Sequence, residues 1–463
     1  MTMTEEELAR THLGLSSYDW KFRQVARKDP EFLARKTFHI LDEGNPLLTY
    51  RLQSWPTFLD TAKLEELKRV SLGVSRVLRN IPERAFANDP VRISEFYGLN
   101  DPDLAELLMS PPNGVLGAVS RGDLIDTQGG FKCIEFNMGA NLGGWETGVL
   151  AEMHLSIPAI STFLREQGLS VSYTDTVRVL YQHVLEEVSR YGIPCRGEVN
   201  IAFSTYSESP LGRGPIFEAY LNREYQAVLA QIAPGLSGRV VRANDEDFRA
   251  RDGAVYWGAT QIHGIVEVDS GNTLPEVYQA FKAKEVLLYN GPNNFIMTSK
   301  RNIALLSEHR NDEAWSAEDR KIIQDHIPWT TLLLPRYVDY EGERVFLPEL
   351  LLSHRERFVI KDSLSAGGKG VRLGKFTPAA RWEEIIEKAL EEGDWLVQEH
   401  LECIPYLYQN GEFGCSPHNV IWGPFIFGPL YAGVILRMQP MADDGAVNLS
   451  LTATQGVVFE LGR

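Results

Sequence analysis

From Arg121 to Asn137 polar and apolar residues alternate, RGDLID before the cluster Thr127, Gln128, Gly129 and Gly130, and FKCIEFN after it. A period of two marks a strand with one face in a core, and two such runs about a glycine turn read as a β-hairpin. Elsewhere the period lengthens. Asp60 to Arg79 (DTAKLEELKRVSLGVSRVLR) and Thr174 to Tyr191 carry apolar positions at helical spacing, the second with Gly192 as its C-terminal stop. Residues 1 to about 110 read as mainly helical. Strand and helix patterns then alternate over 197–296, in VNIAFSTY, IFEAYLNREYQAVLAQI, VVRA, PEVYQAFKAK and EVLLYNGP, which predicts a small α/β unit. A second set follows in FVIK, RWEEIIEKALEEG and DWLVQEHLE, and the end of the chain, PLYAGVILRMQPMADDGAVNLSLTATQGVVF, is strand-rich.

Composition narrows the class without naming a function. The 463 residues are 44% hydrophobic and 23% charged, an ordinary globular balance with length for two or three domains at roughly 100 to 200 residues each. With 46 basic against 62 acidic residues the net charge is −16, which argues against a general nucleic-acid or anionic-membrane binder while allowing a local basic pocket for phosphates. Cys133, Cys195, Cys403 and Cys415 are scattered without a CxxC pair, so they read as buried or inert thiols of a reducing compartment. The N-terminus shows no basic stretch followed by an apolar core, and no run of about 18 apolar residues occurs. The expectation is a cytoplasmic protein. Trp20 and Trp55 read as core residues of the helical part, lining a pocket being the alternative.

Pairing the two runs about Gly129 sets Asp123 opposite Glu135 and Arg121 opposite Asn137, and the i, i+2 spacing puts all four on one face. Two carboxylates facing each other across a strand pair destabilise it by roughly 0.2 to 1 kcal/mol unless a cation joins them. A hard divalent ion suits two carboxylates and an amide oxygen, and Mg²⁺ commonly completes its shell with phosphates and water. The same residues also fit a solvated hairpin face. Gly139, Gly143 and Gly144 follow, either a plain loop or a close approach to a ligand.

Downstream, Lys300 heads a helix in SKRNIALLSEH, and Lys361 ends the strand FVIK before DSLSAGGKGV. A loop carrying Gly367, Gly368 and Gly370 is suited to folding backbone N–H groups over phosphates while the lysine supplies a point charge. The apolar strand ending in Gln398 and Glu399 has adjacent backbone donor and acceptor groups of the kind an adenine edge needs, although a buried strand with a polar cap reads the same way. Arg437 closes an apolar run, a position from which arginine usually snorkels to water. No GxGxxG and no GxxxxGK[ST] occurs, which removes the dinucleotide fingerprint and the ordinary P-loop.

Taken together, R-x-D followed by E-x-N, a strand lysine before a Gly-rich loop and an apolar strand ending in Q-E resemble the ATP-grasp fold. The order is rotated, as in the circularly permuted group that includes glutathionylspermidine synthase, and TSKRNIALLSE, HIPWT, GGKGV, VQEHLE, AGVILR and VNLS echo that group. The resemblance implies an α+β/α/β architecture: a helical N-terminal region over 1–110, an ATP-grasp half with the metal hairpin over 111–195, an inserted Rossmann-like domain over 196–296, and the second ATP-grasp half over 297–463. It implies ATP and Mg²⁺, with Asp123, Glu135 and Asn137 on the metal, and Lys300, Lys361 and the glycine loop on the phosphates. Gln398, Glu399 and Leu401 would form the adenine hinge, and Arg121 and Arg437 would stabilise an acyl phosphate and its tetrahedral successor. The activity implied is a carboxylate-amine ligase acting on a small carboxylate, an amino acid or short peptide, and an amine, with no nucleic acid or membrane partner and with a homodimer admitted. MGANLGGWE replaces the small polar and Pro-Thr stretch usual after E-x-N, and no amidase segment precedes the ligase region. A small-molecule kinase on the same nucleotide site is the alternative, and a non-catalytic nucleotide-binding protein the third reading.

Overall fold

The computed structural model describes residues 3–33, 50–109, 119–140, 142–205, 214–268, 274–289, 294–365, 370–411, 414–442, 447 and 453–462. Its mixed α/β chain is built on several sheets. The largest runs in the order Thr454–Gly456, Leu430–Pro440, Gly414–Phe427, Val119–Thr127, Gly130–Met138, all antiparallel, with Tyr406–Asn410 pairing the start of the long Gly414–Phe427 strand. The helix predicted from Asp60 is Thr61–Arg79, with the Asp60 side chain accepting from the Lys63 N–H as its N-cap. Its apolar stripe packs on the hairpin and on the two long strands.

The expected hairpin is present, but its register arises differently. Thr127 pairs with Gly130, so the turn sits half a residue earlier than a Gly129 centre would place it. Gly130 takes φ 83°, a left-handed backbone position that favours glycine, directly after the Gln128–Gly129 turn. From that turn alone Asp123 would face Ile134. A bulge between the Leu124–Cys133 and Asp123–Glu135 pairs inserts Ile134 as an extra residue and restores Asp123 opposite Glu135 and Arg121 opposite Asn137.

Over 197–296 the expected elements appear as Ile201–Thr205, Gly214–Ile232, Val240–Asn244, Pro275–Lys282 and Leu287–Tyr289. A further strand, Gly264–Glu267, completes a parallel sheet, and a three-strand meander from Phe248 to Ile262 is added to what the pattern predicted. The helix Thr176–Tyr191 is capped by Asp175 and stopped by Gly192 at φ 64°. Trp55 is fully buried, and its neighbourhood runs straight into the rest of the chain. Thr57–Leu59 pairs in parallel with Val458–Leu461, so the helical N-terminal part shares one core with the C-terminal strands.

Residues 329–399 carry a second, smaller core. An antiparallel sheet ordered Thr330–Leu332, Trp395–Glu399, Phe358–Asp362, Val371–Leu373 is covered by the helices Leu347–Ser353 and Ala379–Glu392, around Phe358, Ile360, Trp382 and Val397. The site residues meet at the seam between the two cores. Among the described residues no helix is long and apolar enough to cross a membrane.

Candidate active site

Two strands of the large sheet bring the arginines together over a third. Arg121 and Arg437 lie on either side of Gly414–Phe427, and both reach Asp123: Arg437 Nη2 stands 2.5 Å and Arg121 Nε 3.5 Å from Asp123 Oδ1. The strand between them presents Gly423, where a Cβ would sit 3.3 Å from Arg121 Cδ and 2.8 Å from Ile435 Cγ2. A side chain there would fill the space the ion pair crosses. Arg121 also donates to the Gly143 carbonyl at 2.9 Å, which draws the loop after the hairpin over this face. Arg437 does not snorkel to water as an arginine ending an apolar run usually does but is buried, because it lies inside the strand and has a carboxylate as partner.

Burial works against ionised Asp123, but Arg437 and Arg121 outweigh it and hold its pKa below the ordinary aspartate value. Burial, then the neighbouring Arg437, lowers that of Arg121. Glu135 and Asn137 point from the same face, both half-buried.

The small core supplies Lys361, and a helix packed on the large core supplies Lys300. Lys361 donates across the seam to the Ile134 carbonyl at 2.9 Å and within its own sheet to Gln398 Oε1 at 2.8 Å. The bulge thus has a second consequence: its extra residue offers a carbonyl that binds Lys361. Burial, offset in part by Glu135 and reinforced by Lys300, holds Lys361 below the usual lysine range. Lys300, at the N-cap of the helix Arg301–Glu308, donates to the Ser365 carbonyl and stands 3.7 Å from Glu135. Both lysines and both arginines are therefore drawn to one seam.

Of the predicted glycine loop, Gly367 and Gly368 lie outside the described residues. Gly370 is buried against Ser365 and Asp362, where a Cβ would come within 2.1 Å of Ser365 Oγ. Asp362 accepts from the N–H groups of Leu364 and Ser365, which turns the chain back toward Lys300. In the predicted hinge the Gln398 side chain is engaged with Lys361 and with Thr330. The N–H groups of Glu399 and His400 go to the Trp329 and Arg357 carbonyls, so these two donors of the predicted hinge are already engaged. The Glu399 carboxylate accepts from Tyr340 at 3.2 Å. No local sequence signal marks Thr330, Gly423 or the Ile134 carbonyl: Thr330 closes HIPWT, which carries only the family resemblance, and no local pattern announces the bulge.

Four cations, Arg121, Arg437, Lys300 and Lys361, thus converge on two carboxylates, Asp123 and Glu135, in a mostly buried seam. An excess of buried positive charge is unfavourable without an anion, and in a chain of net charge −16 it is a local arrangement rather than a general surface property. Among the described residues no three His, Cys, Asp or Glu side chains gather as a metal site. Glu135 and Asn137 nevertheless offer a carboxylate and an amide oxygen on one face, a hard donor pair that fits Mg²⁺ brought with phosphates. Asp123 fits less directly, since Oδ1 is taken up by two guanidinium groups.

No family model and no curated protein matches the chain. Among solved structures, a Methylobacillus flagellatus chain provisionally named a gamma-glutamylcysteine synthetase aligns over 86% of this chain and 88% of that one, at 12% identity and a TM-score of 0.40. A score that low carries no argument, and the chemistry of the seam is taken from its own side chains.

Proposed function

We propose that the chain is an ATP-dependent carboxylate-amine ligase of circularly permuted ATP-grasp type, with the seam between the two cores as its active site. The observation that carries this reading is the excess of cations over carboxylates, which suits a polyphosphate and a developing acyl phosphate. Lys300 and Lys361 bind the phosphates of the nucleotide. Glu135 and Asn137, with the remaining oxygen of Asp123, would hold Mg²⁺, which when bound supplies charge neutralisation at the phosphate oxygens. A substrate carboxylate oxygen attacks the γ-phosphorus as the bond to ADP breaks; an amine then attacks the acyl carbon, loses its proton, and phosphate leaves. Arg121 and Arg437, held on Asp123, aim planar donor forks at the transferring phosphoryl group and then at the carbonyl oxygen. No side-chain nucleophile is needed, because the activated species is the substrate. The domain limits carried by this proposal are 1–110, 111–195, 196–296 and 297–463.

The test is Glu135→Gln, assayed for ADP release against pooled amino acids, short peptides and amines. The variant is expected to melt like the parent and to lose turnover, and undiminished ADP release would sink the assignment. Hydroxylamine added with ATP and a competent carboxylate should trap a hydroxamate. A stable phosphorylated product, with no amine accelerating ADP release, would replace the ligase by the small-molecule kinase.

A further inference from the structure

Thr330, Gln398 and Lys361 stand on three neighbouring strands of the small sheet. Thr330 pairs directly with Gln398, and Gln398 pairs with Val359, two residues before Lys361 on the same face. All three are buried. The Thr330 hydroxyl donates its single proton to the Pro328 carbonyl at 3.0 Å, so toward Gln398 Nε2, 3.1 Å away, its oxygen acts as an acceptor. The amide is thereby turned with Nε2 toward Thr330 and Oε1 toward Lys361, which donates to it at 2.8 Å. A second Lys361 N–H goes to the Ile134 carbonyl at 2.9 Å, which leaves one of the three ammonium protons for a ligand. With the amide reversed, an NH₂ group would confront the ammonium at hydrogen-bond distance in a buried site, and Lys361 would have to turn away.

We propose that Thr330 is a positioning residue: its hydroxyl fixes the Gln398 amide, and the amide aims the remaining N–H of Lys361 into the seam at an anionic oxygen. That the anion is a nucleotide phosphate rests on the function proposed above. The orientation of Lys361 does not.

Thr330→Val keeps the shape of the side chain and removes its acceptor, so Gln398 Nε2 loses its partner and the amide is no longer held in one orientation. Two measurements follow it: the affinity for Mg²⁺ with a non-hydrolysable ATP analogue, by calorimetry, and the rate at which a small acetylating reagent modifies Lys361 at one fixed pH, by mass spectrometry. Thr330→Val is expected to weaken analogue binding about tenfold, on the scale of one hydrogen bond to a charged group, and to change Lys361 acetylation several-fold. Thr330→Ser should restore both. In a Gln398→Glu background, where either oxygen accepts, Thr330→Val should no longer matter. A general packing defect would be neither rescued by serine nor suppressed by glutamate. Unchanged Lys361 acetylation in a folded Thr330→Val protein, or a defect undiminished in the Gln398→Glu background, overturns the proposal, and Thr330→Ala serves if the valine variant does not fold. If the parent binds no analogue while Lys361 acetylation still follows residue 330 as described, the positioning role stands and the nucleotide assignment falls.

Discussion

The arginine side and the lysine side of the seam hold their charges by opposite means. Arg121 and Arg437 share a buried carboxylate in the middle of the large sheet, so their counterion is built in and their geometry is fixed whether or not a ligand is present. Lys361 is held by neutral acceptors, a carbonyl and an amide, and Lys300 by the Ser365 carbonyl with Glu135 at longer range. Neutral acceptors orient an ammonium without cancelling its charge. The first arrangement fixes two cations by a shared counterion, and the second orients cations while leaving their charge open to an incoming anion.

The comparison breaks most sharply at Asp123. Asp123→Ala leaves two guanidinium groups side by side in a buried site with no carboxylate between them, and stranding a buried charge typically costs about 3 to 5 kcal/mol. Equilibrium denaturation should show a loss of that order, whereas Lys361→Met, which removes a buried ammonium together with its need for partners, should fold at least as stably as the parent. If Asp123→Ala proved as stable as Lys361→Met, the claim that the arginine side is structurally locked would fail.

How much of this was legible follows the same division. The facing of Asp123 and Glu135 could be read from alternation about a turn, because side chains in a strand have a fixed period and both runs are short. The reason for it could not. The register depends on a bulge at Ile134, and what favours that bulge includes Lys361, some 230 residues away, which binds the displaced carbonyl. Helices such as Thr61–Arg79 and Thr176–Tyr191 are readable to within two residues because their apolar spacing, and the Gly192 stop of the second, are local. The partner of Arg437 is hidden for the converse reason, since nothing near it in sequence reveals that Asp123 lies across one intervening strand. Thr330 and Gln398 are polar residues of short strands, and only the sheet order makes them a relay to Lys361.

Acid provides the next largest effect and separates the seam from the rest of the molecule. Burial pulls His183 and His418 down to about 4 from the ordinary histidine value. The unfolded chain therefore binds protons at these sites from about pH 6.5 downward while the folded chain stays neutral until about pH 4. Their penalty is absent above pH 6.5 and grows as pH falls through that window, by at most ~3 kcal/mol for each histidine. The shift at Asp123 is also downward but acts from the aspartate range, so its contribution persists through most of the histidine window and is lost only as pH falls through its own lowered value. Denaturant midpoints at pH 7 and pH 4.5 should converge in a His183→Gln, His418→Gln double variant relative to the parent. An unchanged difference between the two pH values would shift suspicion from the histidines to the carboxylates of the seam.

The smallest effect tests whether the turn or the bulge sets the register of the Val119–Met138 hairpin. Gly130 adopts φ 83°, and a Cβ there would also approach Glu66 Oε1 to 2.9 Å, the mobile end of a side chain that can retreat. Gly130→Ala should thus cost mainly its backbone strain, about 1 kcal/mol. The strain can relax within the pairs from Thr127–Gly130 to Leu124–Cys133, because the bulge beyond them is held separately by Lys361. The Asp123–Glu135 facing should survive on that account, so the variant is expected to show a small fall in denaturant midpoint with nucleotide turnover unchanged. A loss of turnover out of proportion to the loss of stability would mean that the turn governs the register after all, and that the bulge follows from it.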